Sequence, residues 1–155
     1  MDRQHIEFMK LAVLEAKKAG QKAEVPIGAV LVAESGDILA LAHNQTISLT
    51  DPSAHAEILA LRQAAQKVSN YRLLSTTLYV TVEPCIMCMG AIIHARVARV
   101  VFGAEDPKWG SAGSLYNFAE DRRLNHHPDI IRGICRDECR KLIQDFFRTK
   151  RNSAA

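Results

Sequence analysis

The sequence predicts an α/β protein in which helices cover a central β-sheet. Segments with helical and strand periodicity alternate along the chain after a β-hairpin, which is the order typical of that class. The length of 155 residues predicts one domain, spanning 1–155, and no segment has the composition of a linker. Hydrophobic residues make up 48% of the chain and charged residues 24%, values that exclude a disordered or fibrous protein.

The first half of the chain predicts a helix, a β-hairpin and a second helix. Apolar residues recur at helical spacing over 3–19, and Gly20 follows as a stop signal. Two apolar runs, 26–32 and 38–42, flank a Glu-Ser-Gly-Asp turn and predict the hairpin. A polar loop then leads into a second helix at about 55–68.

The second half predicts three strands and two helices around one long loop. β-branched residues and a period of two indicate strands, while apolar residues three and four apart indicate helices. In order, the predicted elements are a strand at 77–82, a helix at 85–95, a strand at 97–102 that ends at Gly103, a loop with one helical turn near 115–118, a strand at 129–134 and a helix at about 136–151.

The sequence also indicates the cellular compartment in which the protein is found. No apolar run approaches the roughly 18 residues of a membrane span, and the first ten residues lack the apolar core of a signal peptide. We therefore expect a cytoplasmic protein that does not bind membranes. In a reducing compartment the four cysteines indicate metal binding, catalysis or packing rather than disulfides.

Charge is distributed unevenly along the chain. The 20 basic and 17 acidic residues give a formal charge of +3, which is too small to indicate a partner. Residues 121–155, however, hold 9 basic and 5 acidic side chains, and several of the basic ones lie in the predicted last helix. Such a run is usually a solvated helix face, and a nucleic-acid contact is the alternative.

Two short motifs carry the candidate chemistry, His-Ala-Glu at 55–57 and Pro-Cys-Ile-Met-Cys at 84–88. Cysteines three residues apart project from one helical face, so that Cys85 and Cys88 can bind the same ion. Pro84 suits the first position of a helix, where its missing N–H is not needed. With His55, two thiolates and an imidazole favour zinc and leave a fourth position open, as in catalytic zinc sites.

Glu57 is the candidate proton carrier beside this metal. His55 and Glu57 would point about 200° apart in mid-helix, so they converge only if His55 lies at the helix mouth. The turn-forming Asp-Pro-Ser sequence at 51–53 makes that geometry plausible. A carboxylate next to a metal-activated water can take up a proton and return it to the substrate.

H-x-E followed by P-C-x-x-C is the signature of zinc-dependent nucleobase deaminases. On these motifs the chain resembles the cytidine deaminase superfamily, and within it the tRNA-specific adenosine deaminases of bacteria. The resemblance covers nearly the whole chain and includes VPIGA at 25–29, DPSAHAE at 51–57, NYRL at 70–73, LYVT at 78–81, GAIIHAR at 90–96, VFGA at 101–104 and DFFR at 145–148.

This resemblance implies a three-layer α/β/α fold with a mixed five-stranded sheet, a homodimer, and one zinc ion per chain. The implied reaction converts the wobble adenosine (position 34) of a tRNA-Arg(ACG) to inosine. Zinc-activated hydroxide would attack C6 while Glu57 protonates N1, and ammonia would leave. The residues implied to contact the base or the anticodon stem-loop are Asn44, Pro26, Ala56, Asp106, Arg148, Lys150 and Arg151.

Other residues keep two interpretations at this stage. Cys135 and Cys139 could form a second metal site, or they could be small buried side chains of the last helix. The pair His126–His127 could contact RNA or lie on the surface without a function. Trp109 could stack on a base or serve the structure.

Two rival functions remain compatible with the motifs. The nearest is another deaminase, acting on guanine, cytosine or a free nucleoside, because the zinc motifs are shared by all of them. A different class is a zinc-stabilised RNA-binding module in which Glu57 has no catalytic role. The count of three ligands speaks against that module, because a structural site uses four.

Overall fold

The computed structural model describes residues 2–154, so Met1 and Ala155 of the predicted domain 1–155 lie outside the described residues. Four helices, five strands and one short 3₁₀ helix make up the described chain. They are α1 (Asp2–Gln21), β1 (Gly28–Val32), β2 (Ile38–His43), α2 (Ala56–Val68), β3 (Thr77–Val82), α3 (Ile86–His94), β4 (Arg99–Ala104), the 3₁₀ helix (Phe118–Glu120), β5 (Asp129–Arg132) and α4 (Arg136–Ala154).

The five strands form one mixed sheet in the order β2-β1-β3-β4-β5. β1 pairs antiparallel with both β2 and β3, which confirms the predicted hairpin, while β3, β4 and β5 are parallel. One core cluster joins α2 and α3 to one face of the sheet, and a second joins α1 and α4 to the other face. The predicted three-layer α/β/α architecture with a mixed five-stranded sheet is therefore confirmed.

The topology brings the two sequence motifs to one edge of the sheet. β2 and β3 both pair antiparallel with β1, so they run in the same direction and end at the same edge. The loop after β2 leads to His55 at the start of α2, and the residues after β3 lead to Cys85 at the start of α3. We call this side of the sheet the catalytic edge.

Several predicted boundaries are wrong. α1 continues through Gly20 to Gln21, the strand predicted to reach residue 134 ends at Arg132, and the last helix extends to Ala154. The short helix lies at Phe118–Glu120 instead of 115–118, because residues 112 and 117 form an isolated β-bridge across the preceding turn.

Gly103 lies inside β4, which runs from Arg99 to Ala104, and it is not the predicted stop. A Cβ atom at this position would lie 2.5 Å from Sγ of Cys139 and 2.8 Å from the carbonyl oxygen of Thr81. The glycine thus allows α4 to pack closely on the sheet. In the described range, 2–154, none of the helices has the length and apolar character needed to span a membrane.

Candidate active site

His55 and Cys85 occupy equivalent positions, each as the N-cap of its helix. Both have extended backbone conformations, with φ/ψ of −74°/153° for His55 and −77°/178° for Cys85. His55 therefore lies at the non-helical mouth of α2, as the H-x-E spacing required. Pro84 precedes the N-cap, so its predicted place as the first helical residue is wrong, whereas Cys88 does lie in the first turn of α3.

The three predicted ligands converge at the catalytic edge. Nδ1 of His55 lies 3.6 Å from Sγ of Cys85 and 3.6 Å from Sγ of Cys88, and the three atoms lie within 4.8 Å of one another. Ordinary Zn–S and Zn–N bonds at tetrahedral angles place nitrogen and sulfur about 3.6 Å apart. The three atoms can thus bind one zinc ion with little movement, and the fourth position is left for water or substrate.

The protonation of this cluster prepares one of its three groups, the thiol of Cys85, for metal binding. A hydrogen bond with the Cys88 thiol, assisted by His55, lowers the pKa of Cys85 to about 4. The same hydrogen bond, seen from Cys88, raises the pKa of the Cys88 thiol, and burial raises it further. A hydrogen bond with Cys85 raises the pKa of His55. A thiolate is therefore already favoured at Cys85, and zinc would displace the protons of the other two ligands.

Glu57 lies in the first turn of α2 and is 4% exposed. Burial raises the pKa of its carboxyl group to about 7, although the nearby charge of His55 and a hydrogen bond with Cys88 act in the opposite direction. A carboxyl group with a pKa near neutrality can both accept and donate a proton at the pH of a cell. The carboxyl group directly borders the ligand cluster, since it is hydrogen-bonded to Cys88 and interacts with the charges of His55 and Cys85.

Asn44 and Ala56 are joined at the same edge by a hydrogen bond. The side-chain oxygen of the buried Asn44 accepts the backbone N–H of Ala56 at 2.8 Å, and its own backbone N–H donates to the carbonyl of Ile27 at 3.1 Å. Pro26, which is also buried, precedes that residue. The structure thus joins Asn44 to Ala56, the residue after His55, and to Ile27, the residue after Pro26.

The matching family model, "Cytidine and deoxycytidylate deaminase zinc-binding region", covers residues 2–104. The chain is 46% identical to the tRNA-specific adenosine deaminase of Haemophilus influenzae over 94% of this chain and 84% of that protein. It is 47% identical to the enzyme of the same name from Bacillus subtilis, over 93% and 89%. A solved structure from studies of A-to-I editing by tRNA:A34 deaminases matches with a TM-score of 0.85 and 43% identity, covering 88% of this chain and 98% of that chain.

The chain belongs to the tRNA-specific adenosine deaminases of the zinc-dependent deaminase superfamily. It is accordingly an enzyme, a hydrolytic deaminase, and its cofactor is zinc. His55, Cys85 and Cys88 form a group that could hold this ion.

Sequence patterns did not reveal the role of Glu83, the residue directly before Pro84 in this deaminase. Glu83 is 3% exposed, and its carboxylate accepts the backbone N–H groups of Asp106, Ala112 and Ser114 at 3.0–3.1 Å, together with the Ser114 hydroxyl. One carboxylate thus fixes the loop after β4 next to the zinc ligands. Asp106 belongs to this loop, and its own side chain accepts backbone N–H groups of the following turn.

Glu24 fixes a second loop, the one between β2 and α2, in the same way. It is fully buried and accepts hydrogen bonds from the Thr46 hydroxyl at 3.4 Å, from the backbone N–H groups of Ile47 and Ser48 at 3.1 and 2.7 Å, and from the Ser48 hydroxyl at 2.7 Å. These bonds hold the loop that begins at Asn44. Their combined effect outweighs burial and lowers the pKa of Glu24.

We expect Glu83→Gln to lower the free energy of unfolding by about 2–3 kcal/mol. The amide NH₂ that replaces one carboxylate oxygen cannot accept the buried N–H groups that now point at it. Denaturant unfolding of the zinc-loaded proteins measures the effect. Glu34→Gln, in the exposed hairpin turn, is the matched control and is expected to change stability by less than about 0.5 kcal/mol. Equal stabilities of the two variants would contradict the role of Glu83.

The basic C-terminal residues do not join the zinc cluster. α4 begins at the catalytic edge and packs back along β4 and β3, so Arg148 lies about 18 Å along the helix axis beyond Arg136. Arg148 is exposed and pairs with Asp145 at 3.2 Å, while Lys150 and Arg151 follow on the exposed last turns.

The adjacent histidines 126 and 127 and the two C-terminal cysteines have structural contacts. Nε2 of His126 lies 2.7 Å from the carbonyl oxygen of Val97, and Nε2 of His127 lies 2.8 Å from that of Asp121. Cys139 is fully buried in the core between α4 and the sheet, and Cys135 packs against the same cluster. Within residues 2–154, these cysteines and histidines form no second group of three potential ligands.

Proposed function

We propose that this enzyme hydrolyses the wobble adenosine, position 34, of tRNA-Arg(ACG) to inosine and ammonia. The observation that carries the proposal is the buried Glu57 beside a convergent His55–Cys85–Cys88 cluster, in a chain about 46% identical to tRNA-specific adenosine deaminases. An anticodon loop presents its bases without a paired partner, which lowers the energy needed to move one into a deep site. Because the substrate is a tRNA, we expect the enzyme to act in the cytoplasm.

In this proposal the three metal ligands and Glu57 have different roles in the reaction. His55, Cys85 and Cys88 would hold the zinc ion, which would supply the Lewis acid that makes water nucleophilic at neutral pH. Glu57 takes the proton that the water loses on attacking C6 and delivers it to N1 of the purine. The same carboxyl group then moves the proton of the new C6 hydroxyl group to the amino group, so that the C6=O bond forms as the C6–N bond breaks. The overall reaction consumes one water and releases one ammonia.

Asn44 and Pro26 have the chemistry needed to bind a nucleoside. The oxygen of Asn44 is held by Ala56, so the amide NH₂ of Asn44 is left to donate to an acceptor of the nucleoside. Pro26 offers an apolar surface without an N–H group, against which a purine face can pack. We propose these residues as the nucleoside-binding wall.

The decisive experiment compares substrates. The zinc-loaded enzyme is incubated with an arginine tRNA bearing an ACG anticodon and, in parallel, with guanine, cytosine and cytidine. We expect inosine at the wobble position and no ammonia from the free bases or the nucleoside. Ammonia from guanine or cytosine without inosine in the tRNA would assign the rival deaminase activity, and tRNA binding without any turnover would assign the non-catalytic module.

We further propose that the last turns of α4 bind phosphates of the anticodon stem. Removing residues 148–155 is expected to weaken tRNA binding and to reduce the slope of log K against log[salt] by about 2–3, because up to three phosphate contacts are lost. Fluorescence anisotropy at several salt concentrations measures the slope. Removing only 152–155, which contains no charged side chain, is the matched control. An unchanged slope in the longer truncation would contradict the proposal.

We also propose a homodimer formed through α3. Ile86 and Met87 are 48% and 37% exposed, and Ile86 borders a largely apolar groove of about 340 Å³ that includes Gly90, Phe118 and Leu124. A Cβ atom at Gly90 would meet no other atom of the chain within 4 Å. Free large apolar side chains along a groove are typical of a subunit contact.

Gly90→Glu is expected to convert the dimer to a monomer, because a charge in the groove would be buried at the subunit contact. Size-exclusion chromatography with light scattering measures the mass. Gly90→Ala adds one methyl group to the same position and favours the helix by about 1 kcal/mol, so it is the control for folding. A wild-type protein that is monomeric at all concentrations would refute the homodimer.

A further inference from the structure

Trp109 is a large aromatic side chain that the packing of the chain does not use. It is 63% exposed and lies in the loop after β4, at the catalytic edge. It is also the single tryptophan of the sequence. The side chain before it, Lys108, is exposed and basic.

The backbone that carries Trp109 is held firmly. The Asp106 carboxylate accepts the N–H of Lys108 at 3.0 Å and that of Trp109 at 3.2 Å, and the Asp106 carbonyl accepts the N–H of Gly110 at 2.8 Å. The loop is therefore a tight turn capped by its own aspartate. An exposed aromatic on such a turn binds a flat ligand with little loss of backbone entropy.

The turn is fastened directly to the zinc site. The N–H of Ser111 donates to the carbonyl of Pro84 at 2.9 Å, and Pro84 is bonded to the zinc ligand Cys85. The carboxylate of Glu83 holds the same loop on both sides of Trp109 through Asp106 and Ala112. The backbone of Trp109 is thus held in place two residues from a direct hydrogen bond to the residue before Cys85.

We propose that Trp109 stacks on a nucleobase adjacent to the reacting adenosine in the RNA loop. Bases next to an extruded nucleotide lose stacking partners, and exposed aromatic side chains replace those partners without regard to base identity. Lys108 supplies a cation for the phosphate of the same nucleotide. This inference rests on the proposed tRNA substrate and adds to it a residue that holds the RNA loop.

Because Trp109 is the single tryptophan, its fluorescence reports stacking directly. The probe is a zinc-loaded Glu57→Gln variant titrated with an anticodon stem-loop RNA and excited where tyrosine does not absorb. We expect saturable quenching by the intact stem-loop. Two further stem-loops each carry an abasic residue, one on the 5′ side and one on the 3′ side of the adenosine. We expect the quenching to be lost with the stem-loop that lacks the base on which Trp109 stacks.

Kinetics provide the second measurement. Trp109→Ala is expected to raise KM for the stem-loop about 5- to 150-fold, the range typical of one lost base–aromatic stack, with little change in kcat. Trp109→Phe should recover most of the loss. The matched control is Tyr71→Ala, another exposed aromatic, 67% exposed, in the connection between α2 and β3 at the opposite edge of the sheet. Zinc content and Tm should match the wild type in all three variants.

The outcomes separate this inference from the proposed function. If Trp109→Ala deaminates the RNA with unchanged KM, or if abasic neighbours quench as well as the intact RNA, the stacking role is wrong while the tRNA activity stands. If no RNA is deaminated or bound by the wild type, the proposed function itself fails. A dimer that dissociates in Trp109→Ala would instead assign the indole to a protein contact and would overturn the inference.

Discussion

Replacing Glu57 with glutamine is expected to leave one zinc ion per chain and to lower the deamination rate by about 10²–10⁴-fold or more. Glutamine has nearly the same shape as glutamate, so it fits the buried position in the first turn of α2. It cannot accept a proton from water or deliver one to N1, because its amide is not basic at neutral pH. The rate is measured as inosine formed at saturating RNA, which separates turnover from binding.

Zinc content measured by mass spectrometry is the control for this variant. Glu57 is not one of the three converging ligand residues, and only these residues are expected to determine zinc affinity. Glu57→Ala tests the same point but leaves a cavity, so its stability must be compared as well. A Glu57→Gln enzyme with normal turnover would contradict the proton-carrier role, and one without zinc would show that the carboxylate serves the metal.

The zinc cluster and the fold could be predicted because their signals are local. The convergence of the Cys85 and Cys88 sulfurs follows from a three-residue spacing at the start of a helix. The strand before them is marked by alternating residue types and β-branched side chains in its sequence, TLYVTV. The need for His55 to lie outside the helix follows from helix geometry alone. The structure confirms that position, with an extended backbone at His55.

The two buried glutamates could not be predicted in the same way. The partners of Glu24 are 22–24 residues away and those of Glu83 are 23–31 residues away, and most of the groups they hold are backbone N–H groups. A backbone donor has no sequence signature. A lone acidic residue between apolar neighbours is the one available hint, since an unpaired buried carboxylate is very unfavourable.

The predictions for Gly103 and Pro84 are wrong for a related reason. Glycine after a strand is usually a stop, but the close approach of Cys139 from α4 requires it inside β4. Proline before a helix usually occupies the first helical position, but here Cys85 takes the N-cap position so that its side chain meets His55. In both places a tertiary contact outweighed the local preference.

Cys88→Ser is expected to weaken zinc binding by well over 100-fold and to abolish deamination. Losing a group that merely supports a ligand already weakens metal sites by about 10–100-fold, and here a ligand itself is replaced by a shorter, harder oxygen. Since zinc binds the folded state, the variant should also show a lower Tm that added zinc no longer raises. Zinc content, Tm with and without zinc, and inosine formation measure these effects.

Cys139→Ser separates the loss of a ligand from the loss of a buried thiol. Cys88 and Cys139 are both fully buried, but Cys139 packs between α4 and the sheet instead of facing His55. Burying a hydroxyl group there should lower stability by about 1–3 kcal/mol while zinc content and activity per folded molecule stay normal. Loss of zinc from Cys139→Ser, or two zinc ions per wild-type chain, would make the C-terminal cysteines a metal site and contradict the assignment of Cys85 and Cys88 as the cysteine ligands of a single ion.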